Sequence, residues 1–144
     1  MKVVIQRVSK ATVSCGEERA SIGKGYLVLG GLEAKDTAAE CAWAAAKIAG
    51  LRLFDDTEGR MNLSLADVGG EILAVSQFTL AGSIERGRRP SFDGAMAADQ
   101  ARGLFELFVD RLRAEGCRVQ TGFFQCHMEV ELVNDGPVTF ILEK

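Results

Sequence analysis

Apolar and polar residues alternate along residues 2–9 and again along 11–15, the period of strands with one buried face. The two runs predict an antiparallel pair. A turn, Ser21-Ile22-Gly23-Lys24-Gly25, leads into an apolar strand over 26–29 that Gly30-Gly31 breaks. Thr37-Ala38-Ala39-Glu40 carries the capping-box pattern, a hydroxyl and a carboxylate three residues apart that satisfy the first amides of a helix. That helix presents Cys41, Ala42, Ala45, Ile48 and Ala49 on one face and stops at Gly50. Such small side chains let a helix sit close to a sheet. Residues 51–54 read as a strand, Asp55-Asp56-Thr57-Glu58-Gly59 as an acidic, solvated turn, and Asn62-Leu63-Ser64-Leu65 as a candidate pocket mouth.

Residues 72–80, Ile-Leu-Ala-Val-Ser-Gln-Phe-Thr-Leu, lie between Gly69-Gly70 and Gly82 and have the signature of a short strand buried on both faces. Ser76, Gln77 and Thr79 interrupt it. Strand alternation would put Ser76 and Phe78 on one face, with Gln77 and Thr79 on the other. A hydroxyl or amide buried without a partner costs roughly 1–3 kcal/mol. These residues therefore either bond neighbouring backbone or mark a strand end that opens into a polar pocket. A polar loop over 82–90 follows. Ala101, Leu104, Phe105, Phe108, Val109 and Leu112 then recur at helical spacing up to Gly116. Residues 118–120, 128–133 and 138–142 read as three strands. Strands and two helices that do not alternate indicate an α+β fold over 1–144, with a curved or barrel-like antiparallel sheet.

Composition narrows the chemistry. A net charge of −3 over 144 residues argues against a generally nucleic-acid-binding surface and leaves one local patch, Arg86, Arg88 and Arg89. No apolar run approaches the roughly 18–20 residues that span a bilayer, and the first residues lack a signal-peptide core. Cys15, Cys41, Cys117 and Cys126 are widely spaced without a C-x-x-C pair, which reads as four reduced thiols of a cytoplasmic protein. His127 is the one histidine, and its neighbour Cys126 would point to the opposite face of a strand, a poor nucleophile–base pair. Metal ligands do not cluster at ligand spacing, and no glycine-rich phosphate loop is present. Neither a metal nor an organic cofactor is expected. Asn134-Asp135-Gly136-Pro137-Val138-Thr139 has the composition of a hairpin turn, or of a rigid segment that aims its carbonyls at a ligand.

Four segments resemble the bacterial and eukaryotic D-aminoacyl-tRNA deacylases: Ser76-Gln77-Phe78-Thr79-Leu80, Gly87-Arg88-Arg89-Pro90-Ser91-Phe92, Met61-Asn62-Leu63-Ser64 and Asn134-Asp135-Gly136-Pro137-Val138-Thr139. Ile5-Gln6-Arg7-Val8 and Leu132-Val133 are similar as well, so the likeness runs the length of the chain. The resemblance implies metal-free hydrolysis of the ester joining a D-amino acid to the 3′ end of tRNA. It also implies a β-barrel-like antiparallel sheet core with two flanking helices, and a homodimer whose active site lies at the subunit interface, with a cis Gly136-Pro137 bond entering the partner's pocket. Carried over residue by residue, Ser76, Gln77, Phe78 and Thr79 would bind the scissile ester and form the catalytic segment. Gly136 and Pro137, held by Arg7, would select chirality. Met128 and Phe78 would line the adenosine side, and Arg86, Arg88 and Arg89 would meet acceptor-end phosphates.

Chiral selection by clash would reject L esters and admit glycine, including glycine mischarged on tRNA(Ala). With no protein base evident, either the terminal ribose hydroxyl assists or Thr79 is the nucleophile. Phe123-Phe124-Gln125-Cys126-His127 departs from the family's usual small residues, so Gln125 and His127 bear on substrate breadth. Two other functions fit parts of the chain: a module that binds aminoacyl-tRNA without turnover, and a hydrolase of free D-amino acid esters or amides.

Overall fold

The computed structural model describes residues 1–144. Its spine is β1 (Lys2–Cys15), one continuous 14-residue strand where the alternation suggested two. The first half of β1 pairs antiparallel with β3 (Gly25–Gly31) and the second half with β2 (Glu18–Ile22). Two partners met in succession along one edge account for the apparent break in the pattern. The helix over Ala38–Ala49, α1, follows β3, and the short strands β4 (Phe54–Asp55) and β5 (Met61–Leu63) pair with each other. Strand β6 (Glu71–Ser76) lies parallel to β3, and β7 (Val119–Thr121) lies parallel to β6. Helix α2 (Ala98–Ala114) comes between them in sequence.

The last strand, β8 (Glu129–Glu143), runs antiparallel to β1 along nearly its whole length. The Asn134–Thr139 segment is therefore an irregularity within one strand, and of its two readings the hairpin turn does not form. The sheet is mixed, because the β3–β6–β7 pairings are parallel. It curls until β2 comes back against β6 and β7, giving a nearly closed barrel-like core with two helices packed on it.

Both faces of the sheet are buried. Val3, Ile5, Tyr26, Val28, Ile72 and Ala74 face the helices, in a cluster with Phe105, Phe108 and Leu112 of α2. Their sequence neighbours Leu27, Leu73 and Val75 face the inside of the curl with Val8, Ala11 and Val13. The near-continuous apolar runs of β3 and β6 follow from this arrangement. Helix α1 is capped as its sequence predicts: Thr37 Oγ1 accepts from Ala39 N at 3.2 Å, and Glu40 Oε2 accepts from Thr37 N at 2.9 Å. The Thr37 hydroxyl also donates to Glu40 Oε2, at 2.6 Å, and this bond with that from the Thr37 amide holds the exposed Glu40 carboxyl below its ordinary pKa. The small side chains that let α1 approach closely are Cys41, Ala44 and Ala45, all fully buried against the core.

One expectation is overturned outright. Cys15, at the end of β1, is disulfide-bonded to Cys126, in the segment between β7 and β8. The two are 111 residues apart in sequence, and only closure of the sheet brings them together. Cys41 and Cys117 are free, and burial pushes both thiols up, Cys41 to about 11. No helix is long and apolar enough to cross a membrane.

The start of β1 is fixed by a buried ion pair. The Met1 ammonium donates to Asp36 Oδ1 at 2.6 Å and to Glu33 Oε2 at 3.2 Å, while Asp36 Oδ2 accepts from Glu33 N at 2.7 Å. Removing one partner strands the other charge in the interior. Asp36→Ala is expected to lower unfolding free energy by about 3–5 kcal/mol in urea titrations, far more than the ~0–1 kcal/mol of an exposed pair.

Candidate functional site

The central strand ends at Ser76, earlier than its apolar run suggested. Residues Phe78–Ala81 form a 3₁₀ turn, so the strand alternation expected for Phe78 and Thr79 does not apply. The polar interruptions are the reason. Gln77 N donates to Gly30 O at 2.8 Å, which ends the ladder, and the Gln77 side-chain amide donates to Thr79 Oγ1. Leu80 N then closes the turn on Gln77 O at 3.2 Å. The turn sits directly on Gly31, where a Cβ would stand 2.7 Å from Leu80 Cβ and 2.8 Å from Gln77 O. Only glycine admits that approach.

The turn opens a cavity of about 540 Å³. Ser76, Gln77 and Phe78 form one wall, and residues Phe124 to Met128 form the facing one. Leu32 and Met96 lie between them, and the lining is mostly apolar. Size and lining suit a small group with a few polar anchors. Phe78, 57% exposed, packs at a tilt against Phe92, with ring centroids 5.1 Å apart and planes inclined at 54°, and lies at the rim. Met128 packs on Val75 and Gly122, and its Sδ accepts from Phe123 N at 3.3 Å. Six of the residues singled out in sequence, Ser76, Gln77, Phe78, Gln125, His127 and Met128, thus converge on one cavity.

Thr79 is exposed, outside the lining, and its hydroxyl accepts the Gln77 amide; no imidazole or carboxylate bonds it. The amides of Phe78 and Thr79 begin the 3₁₀ turn and have no carbonyl partner within it, leaving two N–H groups at the strand end. Asn62 does not shape the cavity mouth; its backbone carbonyl and side chain bond Arg52. No group of three or more His, Cys, Asp and Glu side chains converges to hold a metal ion.

Gly136 and Pro137 lie apart from this cavity. Their peptide bond is cis, and Gly136 has φ +126°. Here the β1–β8 register slips between Gln6↔Thr139 and Val8↔Asn134, and the intervening residues project from the sheet. Asn134 spans the base of the excursion: its Oδ1 accepts from Val138 N at 3.1 Å and its Nδ2 donates to Thr139 Oγ1 at 3.0 Å. Arg7, opposite the slip, is 5% exposed. Its Nε donates to Asp135 O at 3.0 Å, and its Nη1 donates to Leu53 O at 2.7 Å and to Asp55 Oδ1 at 3.2 Å. Asp135 Oδ2 lies 3.5 Å from Nε. Arg7 is therefore positioned against the Gly136-Pro137 segment.

Arg86, Arg88 and Arg89 lie on an exposed loop that hydrogen bonds between Ser83 and Ser91 tie at its base, next to Phe92. The link between residues 122–128 and Cys15 was missed in the sequence, because nothing in the spacing of the cysteines indicates it.

An α+β barrel whose central strand ends in a mostly apolar cavity with a few polar side chains is suited to binding a small group. Comparison with known proteins defines it further. The family model described as D-Tyr-tRNA(Tyr) deacylase matches residues 4–143. A D-aminoacyl-tRNA deacylase of Pelobacter propionicus is 56% identical over 145 residues, covering 100% of both chains. The Symbiobacterium thermophilum protein of the same name is 54% identical, covering 99% of this chain and 95% of that one. A solved structure named c-Myc DNA Unwinding Element Binding Protein superposes with a TM-score of 0.93 at 41% identity, covering 100% of this chain and 99% of the other. The chain belongs to the D-Tyr-tRNA(Tyr) deacylase family, whose members are hydrolases acting on an ester bond.

The geometry at Gly136 yields a stability prediction. An added Cβ would stand 2.8 Å from Val138 Cγ2 and 3.0 Å from Arg7 Nη2, at a φ that L residues avoid. At Gly59, φ +74°, nothing lies within 4 Å. Gly136→Ala is expected to destabilise by roughly 1–3 kcal/mol and by more than Gly59→Ala, as measured by urea unfolding of the two variants side by side.

Proposed function

We propose that this chain hydrolyses the ester between a D-amino acid and the 3′-terminal ribose of tRNA, as a homodimer in which the Gly136-Pro137 segment of one subunit completes the cavity of the other. The observation that carries this reading is a separation. The cavity of one chain lacks Gly136 and Pro137, while that pair projects outward beside a buried arginine that fixes its direction. A second copy supports the link. Strand β8 pairs only with β1, so its other edge is free, and Phe140 and Ile141 are 46% and 70% exposed along it. A long unpaired edge with exposed apolar side chains invites a protein partner.

In this reading the carbonyls of the Gly136-Pro137 segment accept the substrate ammonium, and the segment occupies the space where an L side chain would project. L esters are excluded by clash, and glycine on tRNA(Ala), having no side chain, is admitted. The Phe78 and Thr79 amides meet the oxyanion as the ester carbonyl is attacked. Thr79 is a weak nucleophile, with its hydroxyl engaged by Gln77 and no base in reach. An aminoacyl ester is already activated, so holding it beside its own ribose hydroxyl supplies proximity without a protein base. Met128 and Phe78 flank the adenosine, and Arg86, Arg88 and Arg89 meet the acceptor-end phosphates. A module that only binds aminoacyl-tRNA would leave the ester intact.

The test is deacylation of D-Tyr-tRNA and L-Tyr-tRNA in parallel, with EDTA present. The expected result is rapid loss of the D ester alone. Equal loss of both would remove Gly136-Pro137 as a chiral filter, and loss of neither would favour the binding module.

A further inference from the structure

We propose that Cys15 and Cys126 form a reversible dithiol–disulfide couple that fixes one wall of the cavity, so that thiol exchange controls how tightly substrate is held. This rests on the reading of the cavity as the substrate site. Residues Phe124 to Met128 line the cavity in unbroken succession, and they belong to the connection between β7 and β8 rather than to a helix or strand. Within that connection Gln125 holds φ +56°, the one non-glycine residue in the left-handed region. A conformation of that kind persists only where its surroundings hold it.

Two ties do so. Arg102 of α2 donates from Nη2 to Gln125 Oε1 at 2.9 Å, and its guanidinium lies 4.5 Å from the Phe124 ring centre. Both Arg102 and Gln125 are solvent-exposed, so this tie competes with water. The other tie is covalent, from Cys126 to Cys15. Cys15 is a fixed post, the last residue of β1, paired with Glu18 of β2 and next to the Ser14↔Glu129 pair with β8. The Cα atoms are 6.4 Å apart, a span that two cysteines bridge in place.

Both cysteines are half-buried, and Cys126 faces the cavity, so the bond is open to small thiols. A low-molecular-weight thiolate attacks one sulfur, the S–S bond breaks, and its electron pair leaves on the other sulfur, which takes a proton. A second thiol resolves the mixed disulfide, so two thiols become one small disulfide while the protein gains two thiols. Oxidation by a small disulfide runs the same steps in reverse. Cys41 and Cys117 are free and outside the cavity lining, and burial raises both thiols, which disfavours their thiolates. Once reduced, the wall keeps only the Arg102 tie and its own packing. The strand end carrying Ser76, Gln77 and Phe78 is untouched, so binding should suffer more than turnover.

The experiment compares protein equilibrated with oxidised glutathione and with dithiothreitol. Alkylation after denaturation should label two cysteines in the first and four in the second. With D-Tyr-tRNA, reduction should raise KM roughly three- to tenfold while kcat changes less than about twofold. Cys15→Ser lies outside the cavity lining and should behave as the reduced protein under both conditions. Four labelled cysteines after oxidation, or a KM indifferent to redox state, overturns the proposal. Phe78→Ala separates the causes. If it impairs turnover while redox state moves nothing, the tether alone fails. If Phe78→Ala has no effect either, the reading of the cavity fails and takes the tether with it.

Discussion

One buried guanidinium organises much of what is distinctive in this molecule. Arg7 sits on β1 where the pairing with β8 slips, and it spends its donors on Asp135 O, Leu53 O and Asp55 Oδ1. A charge taken into the interior is tolerable only when several partners meet it in good geometry. Three separate chain segments are thereby committed to one arrangement. The strand slip, the projection of Gly136-Pro137 and the approach of the 53–55 segment are mutually dependent. A flexible turn of the same sequence could not hold one direction; an excursion from the strand in which Asp135 is bonded to a buried arginine can.

The end of β6 solves a different problem, how to end a buried strand without stranding its polar groups. Strand β6 stops where Gln77 N reaches Gly30 O, and the chain folds into a 3₁₀ turn against Gly31. Strand ends at the rim of a sheet are where backbone amides become free for a ligand, and here Phe78, the first residue of the turn, lines a largely apolar cavity. The facing wall is an irregular segment carrying Gln125, Cys126, His127 and Met128, held by Arg102 and by Cys15. Rigid strand on one side and tethered loop on the other is a division suited to precise chemistry on a varied ligand.

Local chemistry made some features legible in the sequence. The capping box at Thr37 and Glu40, the apolar stripe of α2 and the double-sided burial of β6 all follow from interactions within a few residues. Where long-range pairing decides, the sequence pattern misleads. Alternation could not show that β1 changes partners midway without ending, or that Asn134-Asp135-Gly136-Pro137 is a slip within one strand. Turn composition describes the backbone's freedom, and the neighbour that exploits it is β1. The Cys15–Cys126 bond was invisible for the same reason, since 111 intervening residues say nothing about which two cysteines the barrel juxtaposes. Ser76–Phe78 and Gly136-Pro137 stand out by resemblance, but their separation within one chain emerges only in three dimensions.

That separation is the centre of the account, and mixed dimers test it most directly. Chains carrying Gly136→Ala and chains carrying Gln77→Ala with Phe78→Ala would each be deficient alone. A heterodimer of the two, isolated through different affinity tags, would hold one site in which an intact cavity meets an intact Gly136-Pro137 segment from its partner. The account predicts recovery of about half the wild-type D-aminoacyl-tRNA deacylation, one functional site in two. A heterodimer as deficient as its parents would contradict it and return the site to a single chain.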